Sequence, residues 1–224
     1  MKAVIMAMQN FSGMHSVTGL LFCTILALGG CSGNKSLLAE DPTIQRIFND
    51  EEIHDLEVIL NFFESQICDL LQVHADSVQD CYQAFFLSVG TAERSGVIYI
   101  PVAYHDQLKM YDQLGPEAFT QIWIAGQVMD REPGISGRRV MLSYDGKYMQ
   151  FLEALSNHYQ ILEAYRKSFA QEHRMSPDMI NGVLYNYHLY NMGDIRMRLF
   201  VALHYLTLNA VFEQKGATDS SSSE

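Results

Sequence analysis

Phe48-Asn-Asp-Glu-Glu-Ile53 opens the stretch that decides the fold, which runs to residue 70. Asn49 is a favoured helix N-cap, and Glu52 three residues later completes a capping box. Phe48 and Ile53 flank this cap as a hydrophobic staple. The apolar residues that follow recur at spacings of three and four: Ile53, Leu56, Leu60, Phe63, Ile67 and Leu70. This spacing predicts a long amphipathic helix at the centre of the core.

Six more helices are predicted further along the chain. Gly90 is a typical residue at a helix end, and Ser176 before Pro177 reads as an N-cap followed by a first-turn proline. Asp194 is the predicted cap of the last helix. The six predicted ranges are 78–89, 104–114, 117–129, 146–172, 177–190 and 195–212.

One segment has the composition of a β-strand. Val97-Ile-Tyr-Ile100 is short, apolar and β-branched, but Pro101 follows at once and no partner of similar quality lies nearby. An extended, buried connector is therefore favoured over a strand. Residues 131–139, rich in Gly and Pro, predict a mobile loop. The sequence as a whole predicts an all-α fold, a single globular bundle of about seven helices, with one short strand near 97–100 as the alternative.

Composition and charge narrow the classes of partner. The 224 residues are 48% hydrophobic and 18% charged, which is enough apolar material for a packed core. The formal charge is −11. A surface of that sign repels nucleic acid, so no nucleic-acid partner is expected. The basic pairs Arg138 with Arg139 and Arg196 with Arg198 are expected to balance nearby acids, with anion binding as the alternative.

The N-terminus has the layout of a secretory signal. An apolar run from Val17 to Leu28 follows Lys2 and is shorter than the ~20 residues that a membrane-spanning helix needs. It leads into Leu28-Gly-Gly-Cys31, which resembles the lipobox of bacterial lipoproteins. The resemblance implies that residues 1–30 are a signal peptide that is removed. It also implies that Cys31 becomes a new N-terminus carrying palmitate-type acyl chains on its sulfur and amine.

The lipobox resemblance has consequences for location and domain organisation. Several acyl chains on Cys31 would anchor the protein stably in a lipid bilayer. Ser32 stands where an aspartate would resemble a signal for inner-membrane retention, which favours the outer membrane of the cell envelope. The expected organisation is a lipidated tether over 31–43, a helical domain over 44–215 and a disordered polar tail over 216–224.

Two cysteines, Cys68 and Cys81, are left for the helical domain. They lie about equally far from a predicted turn at Gln72–Ala75 and would be level in an antiparallel helical hairpin. In an oxidising compartment such a pair suggests a disulfide, which would contribute on the order of 3 kcal/mol by closing so short a loop. The alternative is two independent buried thiols.

Candidate ligand-binding residues cluster towards the C-terminus. Residues 185–191 mix aromatic and polar side chains most densely, and further candidates lie on the flanking predicted helices. Aromatic faces with amide or imidazole donors suit a glycan or peptide pocket, although the same side chains could pack helices together. The candidates are Tyr159, Tyr185, Tyr187, His188, Tyr190 and His204.

No strong catalytic motif accompanies these residues. HExxH, GxSxG, P-loop, GxGxxG and CxxC patterns are absent, and no metal or cofactor site is predicted. The favoured interpretation is a membrane-anchored envelope lipoprotein whose non-enzymatic helical domain binds or scaffolds an envelope protein or glycan. The alternative is an envelope hydrolase that uses His188 or His204 with a carboxylate such as Glu163 or Asp194.

Overall fold

A computed structural model describes residues 37–70, 77–94, 99–127 and 138–221. Most of these residues are helical, which confirms the predicted all-α class. Two 3₁₀ turns, Gln160–Leu162 and Tyr187–Leu189, interrupt the helices. The helices are α1 (Leu37–Glu40), α2 (Pro42–Ile47), α3 (Asp50–Leu70), α4 (Val78–Arg94), α5 (Tyr104–Tyr111), α6 (Pro116–Ile122), α7 (Lys147–His158), α8 (Glu163–Glu172), α9 (Pro177–Tyr185) and α10 (Ile195–Ser221). The strands are β1 (Trp123–Gln127) and β2 (Arg138–Leu142).

The capping box predicted at the start of α3 is confirmed. The Asn49 backbone N–H donates to Glu52 Oε2 over 2.8 Å, and the Glu52 N–H donates to Asn49 Oδ1 over 2.9 Å. The predicted caps of α9 and α10 are also confirmed: Ser176 Oγ accepts from the Met179 N–H, and Asp194 Oδ1 accepts from the Arg196 N–H. Local side-chain chemistry therefore fixes where these three helices begin.

The helix predicted over 117–129 is wrong for residues 123–127, and residues 128 and 129 lie outside the described part. Trp123–Gln127 forms β1, which pairs antiparallel with β2 in a register that sets Trp123 opposite Leu142 and Gln127 opposite Arg138. The loop predicted over 131–139 is wrong at residues 138 and 139, which belong to β2, and residues 131–137 lie outside the described part. In the segment 97–100, where a strand was the alternative, Tyr99 and Ile100 belong to neither strand, and residues 97 and 98 lie outside the described part.

The single helix predicted over 146–172 is in fact two helices, α7 and α8. They meet at Tyr159, whose backbone is extended (φ −116°, ψ 95°). The Tyr159 hydroxyl donates a 2.7 Å hydrogen bond to Asp194, and the 3₁₀ turn that follows buries Leu162. These tertiary contacts outweigh the local helical pattern.

Several other helix limits also differ from prediction. Helix α4 passes Gly90 and ends at Arg94, because its last turn packs against α9 and Glu93 accepts a 2.9 Å hydrogen bond from Tyr185. Helix α5 stops at residue 111 and α9 at residue 185, earlier than predicted. At the C-terminus α10 continues to Ser221.

Two segments expected to be unstructured are partly helical. Helix α1 and the first residues of α2 fall within the predicted tether, 31–43. Asp41 Oδ1 caps α2 by accepting from the Thr43 and Ile44 N–H groups, and Ile44 is fully buried. The last helix likewise includes part of the predicted tail, 216–224. Cys31 and the predicted signal peptide lie outside the described residues.

The predicted disulfide between α3 and α4 is present. Cys68 and Cys81 are bonded, with their Cα atoms 5.1 Å apart. The pairing holds two core helices together near one end, and the apolar stripe of α3 is buried at Ile53, Leu56, Leu60, Phe63 and Ile67. The predicted turn at Gln72–Ala75 lies outside the described residues.

Helix α10 lies at the centre of the domain. Every residue from Met197 to Ala210 is buried, so this helix has no solvent-facing side over that stretch. Four of its polar side chains find partners in four different elements. These pairs are Arg198 with Glu64 (2.8 Å), His204 with Tyr165 (3.0 Å), Thr207 with Trp123 (2.8 Å) and Asn209 with Gln107 (2.8 Å). Within the described ranges, none of the helices combines the length and apolar character needed to cross a bilayer.

Replacing Glu52 by alanine should lower the free energy of unfolding by about 2 kcal/mol. The buried Glu52 carboxylate caps α3 and also contacts Lys147 Nζ, at the start of α7, over 2.5 Å. Denaturant titration followed by the fluorescence of Trp123, the single tryptophan, measures the loss. Glu51→Ala is the matched control, because Glu51 is an exposed acid in the same helical turn and should change stability by less than about 0.5 kcal/mol. Equal stability of the two variants would contradict the proposed role of Glu52.

Candidate functional site

Two neighbouring pockets open beside α9 and α10. The larger has a volume of about 410 Å³ and lies between β2, α9 and α10. The smaller, of about 270 Å³, lies between the end of α4, the segment Tyr99–Ile100, α9 and α10. They are here called together the groove, because they share a wall formed by Ile180, Asn181, Leu208 and Phe212.

Helical spacing explains why the groove is apolar. Ile180 and Leu184 lie four residues apart on α9, and residues 205, 208 and 212 lie three and four apart on α10, so each set shares one face of its helix. The larger pocket is of the size that small ligands occupy in proteins. Further apolar lining comes from Val89, Ile100, Met141, Leu142, Met175, Pro177 and Val211.

Each pocket has one charged residue in its lining. Arg174 lines the larger pocket, with a side chain that is 74% exposed and lies 3.7 Å from Glu172. Glu93 lines the smaller pocket, and its Oε1 accepts a hydrogen bond from the exposed Tyr185. The pockets therefore differ in sign, positive in the larger and negative in the smaller.

Few polar groups line the groove besides these two charges. The Thr207 hydroxyl, which lines the larger pocket, accepts from Trp123 Nε1 over 2.8 Å and donates to the Leu203 carbonyl over 2.7 Å. Among the lining residues that the structure describes there is no His or Cys, and Glu93 is the sole acid. A nucleophile held by a general base is therefore not found there.

Two of the predicted ligand-binding tyrosines pack the core instead. Tyr187 stacks on Phe86, with ring centroids 4.8 Å apart and planes 15° apart. Tyr190 is buried and contacts the rings of Phe86 and Phe200 edge-on. For this pair the packing alternative is the correct one.

The other aromatic candidates are separated from one another. Tyr159 holds the junction of α7 and α8, and burial together with the Asp194 carboxylate raises its pKa to about 12. His188 is exposed and touches Tyr187 edge-on. Tyr185 is 58% exposed and reaches the groove through its hydrogen bond to Glu93.

His204 is completely buried in the core. Its Nδ1 lies 3.0 Å from the Tyr165 hydroxyl, and its Nε2 has no hydrogen-bond partner among the described residues. Burial lowers the pKa of His204 to about 3, so the imidazole is neutral in the folded protein at ordinary pH. It is a polar member of the core.

The carboxylates considered for a hydrolase have other partners. Hydrogen bonds from Arg166 and Lys167 lower the pKa of Glu163 to about 2. Although burial opposes it, hydrogen bonds from Arg196 and Tyr159 lower the pKa of Asp194. Glu163 and Asp194 therefore pair with residues other than His188 and His204, and the dyad considered as the alternative is not formed among the described residues.

The basic residues mostly balance acids, as the charge pattern predicted. Arg196 pairs with Asp194 at 2.6 Å and Asp41 at 3.4 Å, and Arg198 pairs with Glu64 at 2.8 Å. Burial raises the pKa of Glu64 although Arg198 opposes it. In the described ranges no three His, Cys, Asp or Glu side chains come together to hold a metal ion.

Sequence reasoning missed the residues that form the shared wall of the groove. Ile180, Leu208 and Phe212 fit a helical apolar pattern, which by itself does not mark them as residues that line a groove. The sequence offered only a weak signal, because apolar residues occur on every side of α10. Its pattern therefore does not distinguish a face that packs in the core from a face that lines a groove.

Stability should fall as pH decreases from about 6.5 towards 3 because of His204. The unfolded chain binds a proton on this residue near pH 6.5, whereas the folded chain does so only near pH 3, so acid favours unfolding across that window. Unfolding titrations at several pH values should show a slope up to about 1.4 kcal/mol per pH unit smaller in His204→Phe than in the parent. The control His188→Asn removes an exposed histidine and should keep the parent slope. Identical slopes in His204→Phe and parent would refute the assignment.

No protein-family model, no curated protein and no solved structure matches this chain.

Proposed function

We propose that this chain is a lipid-anchored envelope protein whose helical domain is a non-enzymatic binding module. The observation that carries the binding role is the groove, an open apolar depression beside α9 and α10. Exposed apolar surface of this kind marks binding sites, because leaving it in water is unfavourable. Tyr99, Met141 and Tyr185 are exposed around it, and such side chains commonly anchor partners.

The anchor is supported by the lipobox resemblance at Leu28-Gly-Gly-Cys31. The Cys68 and Cys81 disulfide is consistent with it, since disulfides persist in oxidising compartments such as the envelope. Acyl chains on Cys31 would hold the groove close to a membrane, where it would meet envelope partners at high local concentration. An outer-membrane position remains part of the proposal because Ser32 follows the cysteine.

Replacing Cys31 by serine should abolish lipid attachment. Cells given a labelled palmitate analogue should label the parent protein, which should sediment with membranes and dissolve only in detergent. Cys31→Ser should carry no label, and it should dissolve without detergent. Cys23→Ser is the matched control, because Cys23 lies in the apolar run that the resemblance assigns to the signal peptide, and it should label like the parent. Label retained by Cys31→Ser would disprove the anchor.

A photo-crosslinking residue placed at Asn181 should capture a partner in intact envelopes. Asn181 is exposed and belongs to the wall shared by both pockets. The same crosslinker at Asn157, an exposed residue of α7 outside the groove lining, is the control. A defined adduct from position 181 that is missing from position 157 is the expected result. Equal adducts from both positions, or none from either, would exclude the groove as the binding surface.

A further inference from the structure

The charges that flank the groove identify a chemistry for its occupant. Arg174 lines the larger pocket and Glu93 the smaller, so an apolar surface is bounded by a cation at one side and an anion at the other. The protein carries a formal charge of −11, which makes a cation in a binding surface informative. A complementary occupant has apolar side chains in the middle, an acidic end and a basic end.

Both charged groups are available to a partner. The contact between Arg174 and Glu172 is long, at 3.7 Å, and the two side chains are 74% and 37% exposed, so water screens it strongly. Glu93 is oriented by the Tyr185 hydroxyl, which donates to Oε1 over 2.9 Å. A carboxylate has several acceptor positions, so Glu93 can bind a cation while keeping this hydrogen bond.

The shape of the groove suits separate side chains better than one continuous chain. Ile180 and Phe212 belong to the wall that divides the larger pocket from the smaller one. An amphipathic helix presents apolar side chains at intervals of three, four and seven residues, which is how helices fill adjacent pockets in a groove. A single acyl chain would instead favour one undivided channel.

We propose that the groove binds an amphipathic helix of a partner protein, with its basic end at Glu93 and its acidic end at Arg174. If the basic end is the N-terminus of the partner helix, the helix dipole adds to this complementarity, since the positive end of the dipole would lie at Glu93. This inference rests on the proposed binding function and specifies the chemistry of the partner.

Three synthetic helical peptides test the charge arrangement. Each has ~16 residues with the same leucine spacing, and they differ only in the residues of their terminal turns. The first has lysine in the N-terminal turn and glutamate in the C-terminal turn (lysine then glutamate). The second has lysine at both ends, and the third has glutamate at both ends. Fluorescence anisotropy measures their affinity for the full chain carrying Cys31→Ser, which keeps every described residue. The parent groove should prefer the peptide with lysine then glutamate by roughly two- to fivefold over either other peptide.

Charge reversals in the protein should change this preference in opposite directions. Arg174→Glu should make the peptide with lysine at both ends the tightest binder. Glu93→Lys should make the peptide with glutamate at both ends the tightest binder. Carrying both reversals should restore the original preference, because the peptide can bind in the opposite direction. Lys167→Glu, a reversal at an exposed cation outside the groove lining, is the control and should keep the parent ranking.

Each other result overturns the proposal. An unchanged peptide ranking in both reversals would exclude charge complementarity, and displacement of a bound dye by oleate but by no peptide would identify an acyl ligand instead. Self-association of the chain, measured by ultracentrifugation and lost in the reversals, would identify a second copy as the occupant. If no peptide binds while Asn181 still crosslinks in envelopes, the helix inference fails and the binding function stands. If both fail, the binding function fails as well.

Discussion

The rest of the structure depends on burying α10 from all directions. A helix with no solvent-facing side from Met197 to Ala210 places its polar side chains inside the core, where an unpaired polar group costs about 1–3 kcal/mol. Four of these side chains bond in turn to α3, α8, β1 and α5. Arg198 Nε, His204 Nε2 and the Tyr205 hydroxyl have no hydrogen-bond partner among the described residues. Each bond fixes how far along α10 the neighbouring element lies. The polar positions of α10 thus specify the arrangement, and the apolar positions supply the burial that stabilises it.

Features set by local chemistry could be predicted from the sequence, and features set by distant contacts could not. The capping box at Asn49 and Glu52 involves residues three apart, so the sequence contains both partners. The break at Tyr159 depends on Asp194, thirty-five positions away, and nothing near residue 159 indicates it. Strand β1 is a second example. Its residues fit a helical pattern in the sequence, but they are extended because they pair with residues 138–142.

The candidate site was harder to predict than the fold. Within the aromatic segment 185–191, Tyr185 lies beside the groove through its hydrogen bond to Glu93, while Tyr187 and Tyr190 pack the core. The groove draws on five separate segments, and its walls are made of the same residue types as the core. Hydrophobicity alone does not reveal which apolar side chains lie beside an open space. That distinction depends on how the five segments pack against one another.

The hydroxyl of Thr207 connects the groove with the core, because it lines the larger pocket while bonding to Trp123. The inner wall of the groove is therefore already ordered before any ligand arrives, so binding would cost little conformational entropy there. The same connection limits how the site can diverge among descendants of this protein. Substitutions at Thr207 would disturb folding, whereas those at an exposed position such as Arg174 would not. New specificities would therefore arise by changing the exposed positions around a wall that stays constant.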